Sequence, residues 1–235
     1  METIINNNNL DQLLDGYTTA NVEGRLMLSS SLDTQSVPGR NGDVVMAQTL
    51  PAREITVHFV LKAKNSVGYI KKCRELNKLI QTDRESKLSF SDEKGFWRVY
   101  SSKVDAPPYD WKEGTGAITF HCADPFLHGE IKQFKDLSSK ANSNAYALRL
   151  NKALLEANGK VILKNATTGV RIAFVKALTG QLLITQDAIT LNGENIVPSL
   201  DIQSSTWKGF TIHPGDTITA EGATGSTLWI EELYL

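Results

Sequence analysis

The sequence predicts a mainly β protein of two domains, with one substantial helix in the front half and an antiparallel β-sandwich or jelly roll in the rear half. Three observations carry that reading. Short runs rich in β-branched and aromatic residues recur between Gly-, Pro- and Asn-based turns. Only one stretch, after Asn65, changes from a period of two to helical spacing. Between Asp136 and Asn144 the composition becomes that of a flexible connector, and 235 residues are enough for two ordinary domains.

Taken in order, the first fifteen residues are polar and Asn-rich, and are expected to be mobile or ordered only by a partner. Arg25–Leu28 reads as a short strand and Ser29–Ser36 as a loop. Val37–Asp43 is a turn with two glycines, and Val44–Thr49 a strand. From Ile55 the chain alternates: Ile55, Val57, Phe59 and Leu61 fall on one side, Thr56, His58 and Lys62 on the other, with Val60 the exception. Asn65 or Ser66 then offers a side-chain oxygen to cap a helix. Tyr69, Cys73, Leu76 and Ile80, with Leu79, form its apolar stripe, opposite Lys71, Arg74, Glu75 and Lys78. Lys87–Ser91 and Phe96–Asp105 form a hairpin around Asp92–Gly95, broken afterwards at Ala106-Pro107-Pro108. Ala117–Cys122 is a strand stopped by Asp124-Pro125-Phe126.

The expected domains are 1–130 and 145–235, joined by 131–144. In the rear half, strands are expected at Val161–Lys164, Val170–Val175, Gln181–Thr185, Ala188–Leu191, Phe210–Ile212, Thr217–Ala220 and Thr227–Tyr234. Turns at Thr168-Gly169, Thr179-Gly180, Asn192-Gly193, Pro214-Gly215 and Thr224-Gly225 separate them. The stretch Arg149–Ala157 fits either a short helix or a strand.

Charge argues against a general affinity for nucleic acid or acidic membranes. There are 25 basic and 26 acidic residues, and neither half is polarised: 15 against 17 in residues 1–130, and 10 against 9 in the rest. No apolar run approaches the roughly 20 residues of a membrane helix, and the N-terminal stretch lacks the basic start and apolar core of a signal peptide. The two cysteines, Cys73 and Cys122, both lie in apolar patterns and are expected to be buried, reduced thiols.

Reactive constellations are not found. There is no P-loop, no Gly-x-Gly-x-x-Gly after a strand and no Gly-x-Ser-x-Gly. His121, Cys122, Asp124 and His128 are the best metal candidates, yet neighbours on a strand point to opposite faces and cannot share an ion without a bend. No catalytic, cofactor or metal site is therefore assigned. A basic cluster of Lys62, Lys64, Lys71, Lys72, Arg74 and Lys78 reads as a solvated face. Trp207, beside Lys208 and Gly209, is the aromatic best placed to stack on a sugar, which leaves a cell-wall carbohydrate-binding module as the alternative function.

The order of these pieces resembles the distal tail protein family of long-tailed phages and phage-like particles of Gram-positive bacteria. The resemblance rests on Val37–Asp43, on the Arg-containing strand Leu50–Leu61 with its helix, and on the hairpin Lys87–Tyr100. It rests above all on Ala117–Phe126, an aromatic strand ending in Asp-Pro-Phe. Thr167–Gly169 and Pro214–Ile218 resemble its rear-half turns. The resemblance implies a front β-sandwich or split barrel, a galectin-like rear sandwich, and a structural role without cofactors. It implies a hexameric ring at the virion tail tip, made in the bacterial host cytoplasm and open to DNA passage. The implied neighbours are the tail tube protein, a tail-associated fibre or lysin protein and a receptor-binding protein, with no membrane. A ring needs one patch to meet a different patch on the next copy. The candidate contact residues are Val44, Ile55, Val57, Phe59, Tyr69, Cys73, Leu76 and Ile80.

Overall fold

The computed structural model describes residues 1–105, 112–134 and 144–235. In chain order these form β1 (Thr3–Ile5), β2 (Asn8–Asn9), α1 (Leu10–Leu13), β3 (Tyr17–Glu23), β4 (Ser31–Ser36), β5 (Asp43–Thr49), β6 (Arg53–Lys62), α2 (Ser66–Ile80), β7 (Ser86–Phe90), β8 (Trp97–Asp105) and β9 (Glu113–Cys122). There follow β10 (Leu127–Phe134), β11 (Ala147–Asn165), β12 (Arg171–Ala173), β13 (Leu178–Thr185), β14 (Ile189–Leu191), β15 (Glu194–Asn195), β16 (Thr211–Ile212) and β17 (Ile218–Tyr234). Two compact units result, and the chain passes from one to the other at Leu127–His128. The expected connector 131–144 thus begins inside β10, and 135–143 of it lie outside the described residues, as does the break at 106–108.

The front unit is a seven-stranded sheet in the order β2-β1-β7-β8-β9-β6-β3, with β4 and β5 forming a separate two-stranded ribbon. β6 shows why alternation is the dominant signal: Arg53, Ile55, Val57, Phe59 and Leu61 are buried and the residues between them are not. It pairs with β3 on one side and β9 on the other, placing Ile55 opposite Phe120 and Val57 opposite Ile118. Gly116 stands opposite Phe59 for a steric reason. A Cβ there would lie 2.6 Å from the Phe59 ring, which stacks on Tyr17 at 5.3 Å.

Asn65 caps α2 by accepting from the Gly68 amide, and the helix buries Tyr69, Leu76 and Ile80. Lys72 fastens α2 from outside the apolar stripe. Its ammonium donates to the Asp15 carbonyl, to the Asp15 carboxylate at 3.1 Å and to the Lys62 carbonyl at 3.0 Å.

Three expectations for the front half need correction. The first fifteen residues are ordered by their own subunit: β1 pairs with β7, and Ile5, Leu10 and Leu14 are buried. Asp11 accepts from the Thr3 and Thr19 amides and the Thr19 hydroxyl, so one carboxylate ties β1 to β3. Ser29–Ser36 is largely strand β4, and Arg25–Leu28 is not a strand. β3 was not anticipated because it is a polar edge strand without strong alternation.

The rear unit is built on two long antiparallel strands, β11 and β17, in an eight-stranded sheet whose path runs β10-β17-β11-β13-β14-β15, with β12 and β16 also pairing with β11. The undecided stretch Arg149–Ala157 is strand. Thr179-Gly180 and Thr224-Gly225 do not turn the chain, but lie inside β13 and β17. The β11–β17 register slips beside Gly159 and Gly222. Gly222 has φ +68°, and a Cβ on it would lie 2.3 Å from the Lys160 carbonyl oxygen, so the close approach at this irregularity requires glycine. The rear core gathers Leu155, Val161, Leu163, Phe174, Leu182, Ile212 and Ile230.

A buried polar latch closes the rear unit. The Asn165 side-chain NH2 donates to Asp216 at 2.7 Å and to the Thr211 carbonyl, and its oxygen accepts from the Thr167 and Thr168 amides. Asp216 also accepts from the His213 amide at 2.7 Å. Burial works against ionisation of Asp216, but the His213 amide and Asn165 hold its carboxyl below the usual range.

Candidate assembly surface

Of the eight candidate contact residues, six face into their own subunit. Ile55, Val57, Phe59, Tyr69, Leu76 and Ile80 are buried in the front core. Val44 and Cys73 keep partial access to solvent. Helical and strand periodicity locate a buried face but do not say which chain covers it; here the same chain does.

A sequence-local group of exposed apolar side chains lies in a stretch that reads mostly as loop and turn. None of the residues from Leu26 to Ala52 is buried. Within this arm β4 and β5 pair only with each other, Ser31 opposite Thr49 and Ser36 opposite Asp43, with a bulge at Met46. Met27 is 94% exposed, Leu26 79%, Met46 61%, Val45 57% and Leu32 54%. A lone two-stranded ribbon is marginally stable in water, and a cluster of large exposed apolar side chains marks an interaction surface. The missed signal was the bulged, non-alternating Val44-Val45-Met46 run. A strand with one buried face alternates; this one has no buried face.

The arm leaves the sheet after Gly24 and returns at Arg53, and the base of this excursion is firmly held. Arg53 is buried; its guanidinium donates to the Gly24 carbonyl at 2.7 Å and the Pro125 carbonyl at 3.1 Å, and lies 4.8 Å from the Trp97 ring centroid. Burial disfavours its charge, but the two carbonyls and the ring compensate. One side chain thereby joins the Arg-containing strand to the Asp-Pro-Phe corner, two motifs read separately in the sequence. Beside it Arg25 makes a two-toothed pair with Asp92, at 3.1 Å to each oxygen, over the Phe90 ring. That pairing holds the Asp92 carboxyl below its ordinary range.

A groove of about 450 Å³ opens on the same unit, lined by Ala20, His58, Phe59, Asp105, Thr115, Gly116 and Ala117. Small side chains make much of its floor, and Ala20 occupies the bulge where β3 slips against β6. Acidic groups stand near it: Asp105, paired with Lys103, and Glu23, 3.3 Å from His58.

The remaining candidates have structural partners. Trp207 packs against the rear core and donates its indole N–H to the Thr185 carbonyl at 2.7 Å, while Lys208 approaches its ring at 5.7 Å. His121 and Cys122 alternate in burial along β9, and burial pushes the Cys122 thiol up to about 12, far from the thiolate a metal needs. His128 lies in the rear unit, buried, with Nδ1 3.0 Å from a Glu231 carboxylate oxygen. Both cysteines are free thiols. In the basic cluster Lys62 pairs with Glu113 and Lys71 with Glu75, and Lys72 is the fastening just described. No helix among the described residues is long and apolar enough to cross a membrane.

Three comparisons bear on this architecture. Residues 12–122 match the family described as the phage tail protein RIFT-related domain. The chain is 28% identical over 208 residues to the distal tail protein of Bacillus phage SPP1, covering 82% of this chain and 81% of that protein. The crystal structure of SPP1 Dit, described as a paradigm of the hub adsorption apparatus in phages infecting Gram-positive bacteria, superposes over 100% of this chain and 99% of that one. Its TM-score is 0.81 at 22% identity. A chain of the phage P2 baseplate in its activated conformation with Ca aligns over 92% of this chain and 90% of its own, with TM-score 0.51 and 9% identity.

Proposed function

We propose that this chain, whose residues 12–122 match the phage tail protein RIFT-related domain, is a distal tail protein: the structural hub of a phage tail tip. The observation that carries this reading is the similarity to the SPP1 distal tail protein over 208 residues, long enough to involve both units rather than one shared module. The chain acts as a structural part, not an enzyme, at the tip of the virion tail after synthesis in the bacterial host cytoplasm.

In this reading copies join through the front unit into a hexameric ring. The ring continues the tail tube on one side and carries a tail-associated fibre or lysin protein, with the receptor-binding protein, on the other. DNA passes through the bore without specific binding, consistent with a front half that is not basic overall. The rear unit is closed by its own core and latch.

Negative-stain microscopy with light scattering tests the proposal. Closed rings of one subunit number are expected, alone or with the tail-tube and fibre partners. A chain that stays monomeric with those partners present would remove it.

A further inference from the structure

We propose that the tip of the front-unit arm carries a self-modification site: Asn41, followed by Gly42, spontaneously loses its side-chain amide to become aspartate or isoaspartate. The chain has three Asn-Gly pairs, at Asn41, Asn158 and Asn192. The reaction needs only water. The Gly42 backbone nitrogen attacks the Asn41 side-chain carbonyl carbon and a C–N bond forms. The carboxamide nitrogen departs as ammonia, with the proton that the backbone amide gives up. Water then opens the resulting cyclic imide at either carbonyl, so one water is consumed and one ammonia released with no change of oxidation state. Glycine on the C-terminal side favours the attack, because no Cβ shields its nitrogen. The remaining requirement is that backbone and carboxamide be free to turn toward each other.

Of the three pairs, Asn41-Gly42 meets that requirement. Both residues are exposed in the turn between β4 and β5, which is closed by the Arg40 amide donating to the Val37 carbonyl at 3.1 Å. That bond does not involve the Asn41 side chain or the Gly42 amide. Gly42, at φ +77°, has nothing within 4 Å of where a Cβ would stand. Asn192 also sits in a turn but is caged. Its amide donates to the Gln181 carbonyl at 2.9 Å and its side-chain oxygen accepts from the Gln181 amide at 2.8 Å. A Cβ on Gly180 would lie 2.5 Å from its carboxamide. Asn158 is exposed like Asn41, yet Asn158 and Gly159 lie within β11, in register with Thr179 and Leu178 of β13. Exposure is therefore not what singles out Asn41; freedom from pairing is. The product matters where it forms. Asp33 and Asp43 against Arg40 already give the arm one net negative charge, and the reaction adds a second beside its exposed apolar side chains. Isoaspartate also lengthens the turn by one main-chain carbon.

Peptide mapping by mass spectrometry tests this on the full chain, incubated folded and in urea in mildly alkaline buffer. In the folded chain Asn41 should deamidate roughly tenfold or more faster than Asn158 and Asn192, which react only through local opening. In urea the three rates should draw together. The rate at Asn41 should rise with pH, since the attacking nitrogen must lose its proton. Asn41→Gln should abolish the fast phase and leave the two slow ones unchanged. An Asn41 that keeps its amide in the folded chain overturns the site, whether or not urea releases it. So does a folded chain in which Asn158 or Asn192 keeps pace with Asn41. A gap that persists unchanged in urea places the cause in local sequence and overturns the structural account. The hub reading stands under any of these results.

Discussion

Strands β5 and β6 are neighbours in sequence, separated by three residues, and both are rich in β-formers. Their fates are opposite. β6 buries every second side chain between two paired strands, whereas β5 pairs only with β4 and buries none. Strand propensity therefore decided that both are extended, and something else decided which is core. That factor is what lies alongside: β6 sits between β3 and β9 and buries alternate side chains although Phe59-Val60-Leu61 interrupts its apolar alternation, while Val44-Val45-Met46 puts apolar groups on both faces of a ribbon paired only with β4.

Substitutions can break or sharpen this contrast. The largest effect is expected from Phe59→Ala in β6, which opens a cavity beside Tyr17 and should cost about 3–5 kcal/mol. Urea unfolding followed by the front-unit signal would read it, and a loss below 1 kcal/mol would mean that β6 is not the core strand described. Next comes Arg53→Met, which strands the Gly24 and Pro125 carbonyls at the base of the arm. It should cost about 3 kcal/mol and speed proteolysis between Leu26 and Ala52 more than elsewhere.

Asp216→Asn moves the comparison to the rear unit and should cost about 1–2 kcal/mol. It also carries a pH signature. The Asp216 carboxyl is held below its ordinary 3.8 in the fold. Its stabilising contribution is therefore complete above the unfolded value and is lost as pH falls through the lower folded one. The wild-type rear unit should weaken on acidification below about pH 4, and the Asn variant should show a flatter acid limb. The smallest effect is expected in the arm: Val45→Thr should change the stability of the isolated subunit by less than about 0.5 kcal/mol. A large loss there would show that the arm is packed within its own chain.

Trp207 teaches the same lesson from the rear half. A Trp beside Lys and Gly suggests a surface platform, yet its indole N–H is spent on Thr185 and its ring packs on the core. Nothing local in Ser205–Gly209 announces a carbonyl twenty-two residues away. The linker-like stretch shows a further limit. Composition placed the connector at Asp136–Asn144, whereas the compact units divide at Leu127–His128, and strand β10 starts there because β17, almost a hundred residues later, offers it an edge.

By itself the sequence determined the β class, the capped helix at Asn65, the alternating strands β6 and β9, and the Asp-Pro-Phe stop, because each is encoded by residues within one turn or one strand of each other. Only the tertiary structure decided that the apolar stripe of α2 is filled from its own subunit, that Arg53 joins two distant motifs, and that the stretch from Leu26 to Ala52 buries none of its residues. Burial is a property of pairs of surfaces. A single stretch can specify its own shape and the side it hides, but not what comes to cover it.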